Sequence, residues 1–269
     1  MRKYAWSMVN LKNPVRIGVQ VAPQHSSYAE LRDAAAKVED LGADVLFNWD
    51  HFYPLSGDSD GLHFESWTIL AAWAEQTSRI ELGPLVNCNS YRNPDLQADM
   101  ARTIDHISDG RFIFGTGSGW FERDYAEYGY SFGTAGQRLD AVAVDLPRIE
   151  ARWAKLNPAP LRKIPVLIGG GGEKKTLKLV AKHADIWHSF SDPETLTRKL
   201  GILADWCTKV GRNVDEIEIS TELRGRTVAE ADELYDLGTR LFTIGVSEPG
   251  NDFTKVKQWL AWRDAKNAG

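Results

Sequence analysis

Short apolar runs alternate along the chain with longer stretches in which apolar residues recur at helical spacing. The runs predict eight β-strands, at residues 16–21, 44–48, 80–86, 111–116, 166–168, 185–189, 217–220 and 241–246. The longer stretches predict helices with one buried face, as in the stripe of Leu139, Val142 and Leu146. Because strands and helices alternate strictly, the pattern predicts parallel strands joined by right-handed crossovers.

Eight strand–helix units predict an α/β fold, a (β/α)₈ TIM barrel formed by a single domain over residues 1–269. A length of about 250 residues is typical of that fold. An open, doubly wound sheet is the alternative, because several of the runs are short. The chain shows no repeat, low-complexity tract or linker. Two irregularities are expected: a loop over residues 120–133, and a kink or break at Pro147 inside the fourth helix.

Composition narrows the class of partner. The formal net charge is −5 and 43% of the residues are hydrophobic, which argues against a nucleic acid or an anionic membrane as a partner. No apolar run has the length of a membrane-spanning helix, and the first ten residues lack the apolar core of a signal peptide. Cys88 and Cys207 lie far apart and form no metal-ligand pair. These features predict a soluble, cytoplasmic protein whose partner is a small molecule.

Four consecutive glycines separate the fifth predicted strand from the helix that follows it: Gly169, Gly170, Gly171 and Gly172. In a strand, glycine turn and helix, backbone N–H groups can bind a phosphate, because glycine permits close approach and positive φ. Three lysines follow the turn and add positive charge: Lys174, Lys175 and Lys178. The pattern favours a phosphate site; a flexible loop or a helix–strand packing contact is the alternative.

Polar residues follow the carboxyl ends of several predicted strands, where a parallel barrel has its active site. Asp50 and His51 follow the second strand. The histidine can exchange a proton near neutral pH, and the adjacent carboxylate can hold its ring or bind a hydroxyl. The alternative is an aspartate that caps the next loop beside a surface histidine. Arg92, after the third strand, suits an anionic group or a neighbouring acidic side chain.

Two other chemistries are disfavoured. No His, Cys or carboxylate set has the spacing of a metal site. The GTGSG turn after the fourth strand suggests a nucleophile elbow, but Ser118 lies one place late for that motif.

Four separated segments carry a resemblance to a known family. They are WDHFYP at 49–54, YRNP at 91–94, SDGRFIFGTGSGWFERDYAEYG at 108–129 and IPVLIGGGGEKKTLKLVAKHADIWH at 164–188. These segments resemble the luciferase-like flavin monooxygenase superfamily, and within it the oxidoreductases that use the deazaflavin coenzyme F420. The likeness covers most of the chain, and the agreement of several motifs in order is more specific than any one of them. It implies hydride transfer between C5 of the deazaflavin and an organic substrate.

The resemblance also implies the roles of individual residues. The glycine turn, with Glu173 and Lys174, would hold the cofactor phosphate, and Asp50 would contact the deazaflavin ring. His51 would lie at the reactive face as proton donor or acceptor. Further cofactor contacts would come from residues after the third, fourth and fifth strands: Leu85, Val86, Asn87, Arg92, Gly117, Ser118, Gly119 and Gly169. A non-proline cis peptide would fall near Leu85–Val86 and support the ring.

One position departs from the pattern of the sugar-phosphate dehydrogenases in this group. Those enzymes have a catalytic glutamate directly after the fourth-strand glycines, where this chain has Trp120, with Glu122 two residues on. Glu122 is the remaining candidate for a catalytic acid, and the substrate stays unassigned. The connector at 156–164 is short, which predicts an open substrate mouth.

Two other functions stay open. An FMN-dependent monooxygenase would use the same barrel, because the glycine turn suits the phosphate of either cofactor. A non-catalytic flavin- or deazaflavin-binding protein would explain Trp120, although the Asp50–His51 pair speaks against it. Dimers are common in the superfamily, so a homodimer is the protein partner that the resemblance suggests.

Overall fold

The computed structural model describes residues 13–247 and 252–268. The first ten residues, whose sequence lacks a signal-peptide pattern, lie outside the described residues. Parallel strands form one sheet that curls into a barrel, and helices cover its outer face. The strands are β1 (Arg16–Val21), β2 (Val45–Asn48), β3 (Glu81–Pro84), β4 (Asn87–Cys88), β5 (Phe114–Gly117), β6 (Val166–Gly169), β7 (Ile186–Ser189), β8 (Glu218–Glu222) and β9 (Thr239–Val246). The helices are α1 (Tyr28–Asp40), α2 (Ser66–Gln76), α3 (Pro94–Ile107), α4 (Glu122–Tyr128), α5 (Ala135–Trp153), α6 (Thr176–His183), α7 (Pro193–Val210), α8 (Val228–Asp236) and α9 (Thr254–Asn267).

The sheet closes on itself between β3 and the segment that leads into β5. Its order is β3-β2-β1-β9-β8-β7-β6-β5-β4. β3 lies within the third predicted strand, 80–86, and β4 follows directly after it. The Leu82 N–H donates to the Arg111 carbonyl at 3.1 Å, and the Ile113 N–H donates to the Leu82 carbonyl at 2.8 Å. These bonds join β3 to the segment that leads into β5. The predicted TIM barrel is confirmed, and the open sheet is wrong.

The third predicted strand, 80–86, is interrupted at its end. The peptide bond between Leu85 and Val86 is cis, and pairing resumes at Asn87 and Cys88, which bond to β5. The cis bond lies where the resemblance implied one, so that expectation is confirmed.

The predicted loop at 120–133 is wrong in part, because it contains α4. Asp124 and Tyr125 are the buried residues of this helix, and Gly129 ends it in the left-handed conformation with φ of 71°. The helix is too short to show a clear apolar stripe. Its inward face therefore gave no signal in the sequence pattern.

Of the kink or break predicted at Pro147, the break does not occur, because α5 continues through the proline as one helix. Leu146 and Ile149, on either side of the proline, are buried in the core. Burial of this helix face stabilises α5 enough to offset the one backbone hydrogen bond that proline removes.

The core has two parts, one on each side of the sheet. Outside the barrel, apolar helix faces pack against the strands, and Trp67 and Trp73 of α2 are among the fully buried residues there. Inside the barrel, seven buried side chains fill the space: Val45, Phe47, Leu85, Ile113, Leu167, Ile186 and Leu241. This packing gives the barrel a solid floor, so a ligand site lies above it at the ends of the strands.

The short connector at 156–164 lies at the opposite end of the barrel from those strand ends, because it leads into the amino end of β6. Ala159 and Pro160 within it border a separate cavity, together with Lys182 and His183 of α6. The length of the connector therefore has no bearing on the substrate mouth, and the prediction of an open mouth loses its basis.

None of the helices in the described ranges combines the length and apolar character that a membrane span requires. Across the same ranges, no three His, Cys, Asp or Glu side chains gather where they could hold a metal ion.

Candidate active site

A cavity of about 450 Å³ opens at the carboxyl ends of the strands. Ten of the predicted site residues line it: Asp50, His51, Leu85, Val86, Asn87, Gly117, Ser118, Gly119, Gly169 and Gly170. Six others lie outside its wall: Arg92, Glu122, Gly171, Gly172, Glu173 and Lys174. The barrel thus brings the first part of the glycine turn and the Asp50–His51 pair to one cavity.

His51 is held by a carboxylate that is distant in the sequence. Its Nδ1 lies 2.8 Å from Oδ2 of Asp124, a fully buried residue in the first turn of α4. The Tyr91 hydroxyl donates to the same oxygen at 2.9 Å. The N–H groups of Phe52 and Tyr53 both donate to Oδ1, each at 3.2 Å. The carboxylate is fixed by these bonds, and it fixes the imidazole ring in turn.

This arrangement gives the two ring nitrogens of His51 different roles. Because an ionised carboxylate only accepts hydrogen bonds, Nδ1 carries a proton towards Asp124, and the neutral ring keeps its lone pair on Nε2. Burial raises the pKa of Tyr91, so its hydroxyl keeps its proton and remains a donor. Nε2 has no hydrogen-bond partner among the described residues, and His51 borders the cavity. It is therefore available to a ligand.

The carboxylate of Asp50 is engaged by the protein itself. Arg92 binds both oxygens, with Nη1 2.6 Å from Oδ2 and Nη2 2.9 Å from Oδ1. The Cys88 N–H also donates to Oδ2, at 2.9 Å, and Arg92 makes a second ion pair with Glu65. Burial by itself lowers the pKa of Arg92, but the two carboxylates hold it above its ordinary value. Asp50 therefore does not hold the His51 ring. Of the two partners predicted for Arg92, the structure shows the neighbouring acidic side chain, and Asp50 and Arg92 together support β4.

Val86, which follows the cis peptide bond, borders the cavity as part of an apolar floor. A Cβ at Gly117 would lie 2.8 Å from Cγ2 of Val86, and a Cβ at Gly169 would lie 3.0 Å from its Cγ1. Both glycines therefore make room for Val86, and both also border the cavity. The Gln20 amide donates from Nε2 to the Leu85 carbonyl at 2.6 Å, which ties this floor to β1.

Gly119 and Cys88 lie beside that floor. Gly119 has φ of 73°, and a Cβ there would collide with the Tyr125 hydroxyl and with Sγ of Cys88. The Cys88 Sγ lies 3.2 Å from that hydroxyl, and burial raises the pKa of the thiol to about 11. Cys88 is therefore a protonated packing residue at neutral pH and not a nucleophile.

Two further predicted contact residues use their polar atoms inside the protein. The Asn87 side chain accepts from Nε1 of Trp67 at 3.0 Å and donates to Gln97 at 2.8 Å. The Ser118 carbonyl accepts from the Tyr125 hydroxyl at 3.3 Å. Both residues still border the cavity, so a ligand there meets them through their remaining atoms.

The glycine turn offers backbone N–H groups that have no acceptor. Gly170 has φ of 123°, and its own N–H donates to the His188 carbonyl at 2.9 Å. Within the described chain, no backbone carbonyl accepts from the N–H groups of the four residues that follow: Gly171, Gly172, Glu173 and Lys174. Unpaired N–H groups just before a helix are what an anion site requires.

The positive charge near the turn is arranged differently from the prediction. Lys175 pairs with Asp140 at 2.6 Å, and the Lys178 ammonium lies 5.5 Å from the centre of the Trp206 ring. The charge of Lys175 is therefore already compensated, and the Lys178 ammonium lies over the Trp206 ring.

Two cations from α7 approach the turn instead. A Cβ at Gly171 would collide with Nζ of Lys199, so this ammonium lies directly at the turn. Burial lowers the pKa of Lys199, and the neighbouring Arg198 adds to that effect. The carboxylate of Glu173 pairs with Arg198, which leaves Glu173 only its backbone N–H for an anion. Nothing in the sequence pattern indicates that α7 reaches the turn.

The ends of β7 and β8 complete the wall of the cavity. Nδ1 of His188 lies 2.8 Å from the Ser220 hydroxyl, and burial lowers the pKa of His188 to about 4. The imidazole is therefore neutral at pH 7. Glu222 and Arg224 form an ion pair at 3.0 Å, from Oε1 to Nε, at the edge of the cavity.

Glu122, the predicted catalytic acid, is exposed on the first turn of α4 and does not border the cavity. The helix turns Glu122 outwards and Asp124 inwards, so Asp124 is the carboxylate of this segment that reaches the site. Trp120 lies at the cavity edge with 62% of its surface exposed, and its ring centre is 5.6 Å from that of His51.

Comparison with known proteins identifies the class of this protein. The model of the luciferase-like monooxygenase family matches residues 10–267, so the chain belongs to that family. The predicted resemblance is confirmed.

Two curated relatives share one description. An F420-dependent glucose-6-phosphate dehydrogenase of Microbacterium testaceum is 26% identical over 231 residues, covering 78% of this chain and 68% of the relative. A protein of the same description from Amycolatopsis mediterranei is 26% identical over 189 residues. That match covers 63% of this chain and 54% of the relative, so the chain spans about half of its length.

Solved structures share the barrel. An F420-dependent secondary alcohol dehydrogenase in complex with an F420–acetone adduct superposes with a TM-score of 0.78 at 15% identity, covering 87% of this chain and 93% of that one. The oxygenating constituent of 3,6-diketocamphane monooxygenase from Pseudomonas putida, in complex with FMN, superposes with a TM-score of 0.61 at 17% identity. That match covers 77% of this chain and 67% of the monooxygenase. At these identities the likeness shows the common fold.

Proposed function

We propose that the protein is an F420-dependent oxidoreductase that transfers a hydride between C5 of the deazaflavin and a small organic substrate. One observation carries the proposal: the first two glycines of the turn, Gly169 and Gly170, border the same cavity as His51, whose Nε2 has no partner among the described residues. The F420-dependent relatives support the choice of cofactor.

The residues present fit this cofactor. A flat ring needs an apolar surface, and Leu85 and Val86 supply one at the cavity floor. A phosphate needs donors without partners, and the N–H groups of Gly171 and Gly172 beside Lys199 supply them. When bound, the deazaflavin supplies a ring carbon that accepts or releases a hydride.

His51 accepts or donates the proton that accompanies hydride transfer. When an alcohol is oxidised, the Nε2 lone pair takes the hydroxyl proton and the ring becomes an imidazolium beside Asp124. In the reverse direction, Nε2–H returns a proton to the carbonyl oxygen. The carboxylate, held 2.8 Å from Nδ1, stabilises the charged ring in both directions.

An FMN-dependent monooxygenase is the second candidate, because one protein of the same fold binds FMN. A non-catalytic binding protein is disfavoured, because cofactor storage does not require a histidine whose ring is oriented by a buried carboxylate.

Equilibrium titration separates these candidates. The purified protein is titrated with oxidised F420 and, separately, with FMN, and binding is followed by the change in cofactor fluorescence. We expect F420 to bind at micromolar or lower concentration and FMN to bind more weakly. No F420 binding at micromolar protein, or purification as a yellow protein with tightly held FMN, would overturn the proposal.

A matched pair of lysine variants tests the phosphate site. Lys199→Gln removes the ammonium at the turn and is expected to weaken F420 binding about tenfold. Lys175→Gln, on the same turn, removes a charge already paired with Asp140, and we expect less than about a twofold effect. Equal effects of the two variants would show that the phosphate binds elsewhere.

A further inference from the structure

The cavity wall has two sides. β4, β5 and β6 carry the apolar floor and the glycine turn, which the proposed function assigns to the cofactor. The ends of β7, β8, β9 and β1 carry the other side, whose side chains are mostly polar: Gln20, His188, Glu222, Arg224 and Thr243. A substrate that reaches His51 beside the cofactor meets this second side.

The charges on the second side compensate each other. Arg224 is the sole Lys or Arg that borders the cavity within the described ranges, and its Nε lies 3.0 Å from Oε1 of Glu222. Arg226, two residues on, is engaged elsewhere, because its guanidinium donates to the backbone carbonyls of Glu222 and Ser191 at 2.7 Å. His188 is neutral at pH 7 and adds no charge.

This arrangement is unfavourable for a phosphate. A phosphate dianion at Arg224 would meet one guanidinium that is already paired, with the Glu222 carboxylate directly beside it. Phosphate sites depend on uncompensated cations or on several N–H donors. The remaining Nη groups of Arg224 and the Oε2 of Glu222 offer donors and an acceptor side by side.

Aromatic rings border the mouth of the cavity on both sides: Phe190 follows β7 on the second side, and Trp120 follows β5 on the other. Phe190 is 77% exposed and Trp120 is 62% exposed, although both border the cavity. The Phe190 ring is held edge-on to His188, with 5.3 Å between the ring centres. Exposed aromatic faces at a cavity mouth give apolar contact to a ligand.

We propose that the substrate is an uncharged alcohol or carbonyl compound with an apolar body, and that Glu222 and Arg224 together bind a second polar group on it. A hydroxyl or an amide suits the pair, because each accepts from a guanidinium N–H and donates to a carboxylate. The inference rests on the proposed function and names its substrate class. That class differs from the sugar phosphate in the name of the dehydrogenase relatives.

Binding to the F420-loaded protein tests the proposal through the fluorescence of two cavity tryptophans, Trp49 and Trp120. The probes are 1-phenyl-1,2-ethanediol, which is uncharged and carries a second hydroxyl, and glucose 6-phosphate. We expect the diol to bind and to be oxidised, with loss of F420 absorbance. Glucose 6-phosphate is expected to do neither at the same concentrations.

The two variants of the Glu222–Arg224 pair are expected to have different effects: one weakens diol binding and the other tightens phosphate binding. Arg224→Gln should weaken diol binding about tenfold, because it removes the guanidinium donors. Glu222→Gln frees the guanidinium, so it should tighten the binding of glucose 6-phosphate and of inorganic phosphate about tenfold. Arg212→Gln removes the arginine of an Arg–Glu pair at the other end of the barrel, where Arg212 lies 3.1 Å from Glu216. It should change neither affinity.

Tighter binding of glucose 6-phosphate than of the diol by the unmodified protein would overturn the inference. Unchanged phosphate affinity in Glu222→Gln would do the same, because it would show that this carboxylate does not oppose anions. F420 binding is measured separately in every variant. Absence of F420 binding would contradict the proposed function, whereas normal F420 binding with the wrong ligand preference would contradict only the substrate class.

Discussion

The proton on Nδ1 of His51 is placed by Asp124, and this decides what Nε2 can do. With a carboxylate 2.8 Å from Nδ1, the neutral ring presents a lone pair at Nε2 and can accept a proton. An amide in the same place would donate to Nδ1 and force the proton onto Nε2. The ring would then be unable to accept the proton of an alcohol.

We therefore expect Asp124→Asn to lower kcat for alcohol oxidation by about a hundredfold to a thousandfold. The affinity for F420 should change little, since Asp124 does not border the cavity. Steady-state kinetics and F420 titration of the same preparation measure both quantities.

Glu122→Gln is the matched control, because it makes the same chemical change on an exposed position of α4. Its kcat should stay within about threefold of the unmodified protein, as for most surface substitutions. A large loss of kcat in Glu122→Gln together with a small loss in Asp124→Asn would show that Glu122, and not Asp124, supports catalysis.

His188 makes stability depend on pH. Burial lowers its pKa to about 4 from a value of 6.5 in the unfolded chain. Between these values the unfolded chain binds a proton that the folded chain does not, so folding stability falls as the pH falls from 7 towards 4. His63, whose pKa burial also lowers to about 4, acts in the same direction.

His188→Gln removes one of these two titrations. We expect the unmodified protein to lose about 2 kcal/mol more of its unfolding free energy than His188→Gln does between pH 7 and pH 5. Urea unfolding at the two pH values measures the difference. Identical losses would show that His188 is charged in the folded protein.

At the scale of whole elements, the strands and long helices could be predicted because each has a periodic apolar pattern. The spacing of apolar residues over 193–210 predicts one helix, and the structure has α7 at Pro193–Val210. The seven-residue α4 lies inside the predicted loop, since about two helical turns carry too few apolar positions to show a period. The Asp124 partner of His51 was missed with it, because a contact across 73 residues depends on how that helix is oriented.

Gly117 of β5 and Gly169 of β6 show the same limit. Their presence suggested close approach of a ligand, but what they approach is Val86, a neighbour that only the folded barrel supplies. The position of the site at the strand ends could be predicted, since it follows from the fold. The pairing of the charged side chains at this site could not be predicted from the sequence.

Gly117→Ala tests whether the cavity floor depends on the close contact between Gly117 and Val86. Its Cβ would lie 2.8 Å from Val86, so the floor must shift, and overpacking of this kind costs about 1–3 kcal/mol of unfolding free energy. We expect weaker F420 binding and a lower Tm, and recovery of both in the double variant Gly117→Ala, Val86→Ala.

The control for this substitution is Gly201→Ala in α7, where an added Cβ meets nothing within 4 Å. It should leave F420 binding unchanged and stabilise the helix by about 0.5–1 kcal/mol. If the double variant recovers neither property, Gly117 has a role apart from making room for Val86.

Across the whole molecule, the two ends of the barrel have different roles: one end holds the cavity, and the other contributes to stability. The cavity lies at the carboxyl ends of the strands, whereas the amino ends are joined by charges. Arg16 at the start of β1 lies 2.5 Å from both Glu81 of β3 and Glu218 of β8. Arg162 adds a second pair with Glu81 at 2.9 Å. These pairs link strands that are far apart in the sequence, and they hold the barrel together at the amino ends of its strands.

Arg16→Met should therefore destabilise the barrel without changing its chemistry. The side chains of Arg16 and Glu218 are 24% and 19% exposed, so the variant leaves a largely buried carboxylate without its cation. A loss of about 2–3 kcal/mol of unfolding free energy is expected, with a lower Tm in a thermal scan. F420 affinity should stay within about twofold, because the change is at the end opposite the cavity. The second substitution Glu218→Gln should restore part of the Tm by removing the unpaired charge, and loss of F420 binding at an unchanged Tm would show that the two ends are coupled.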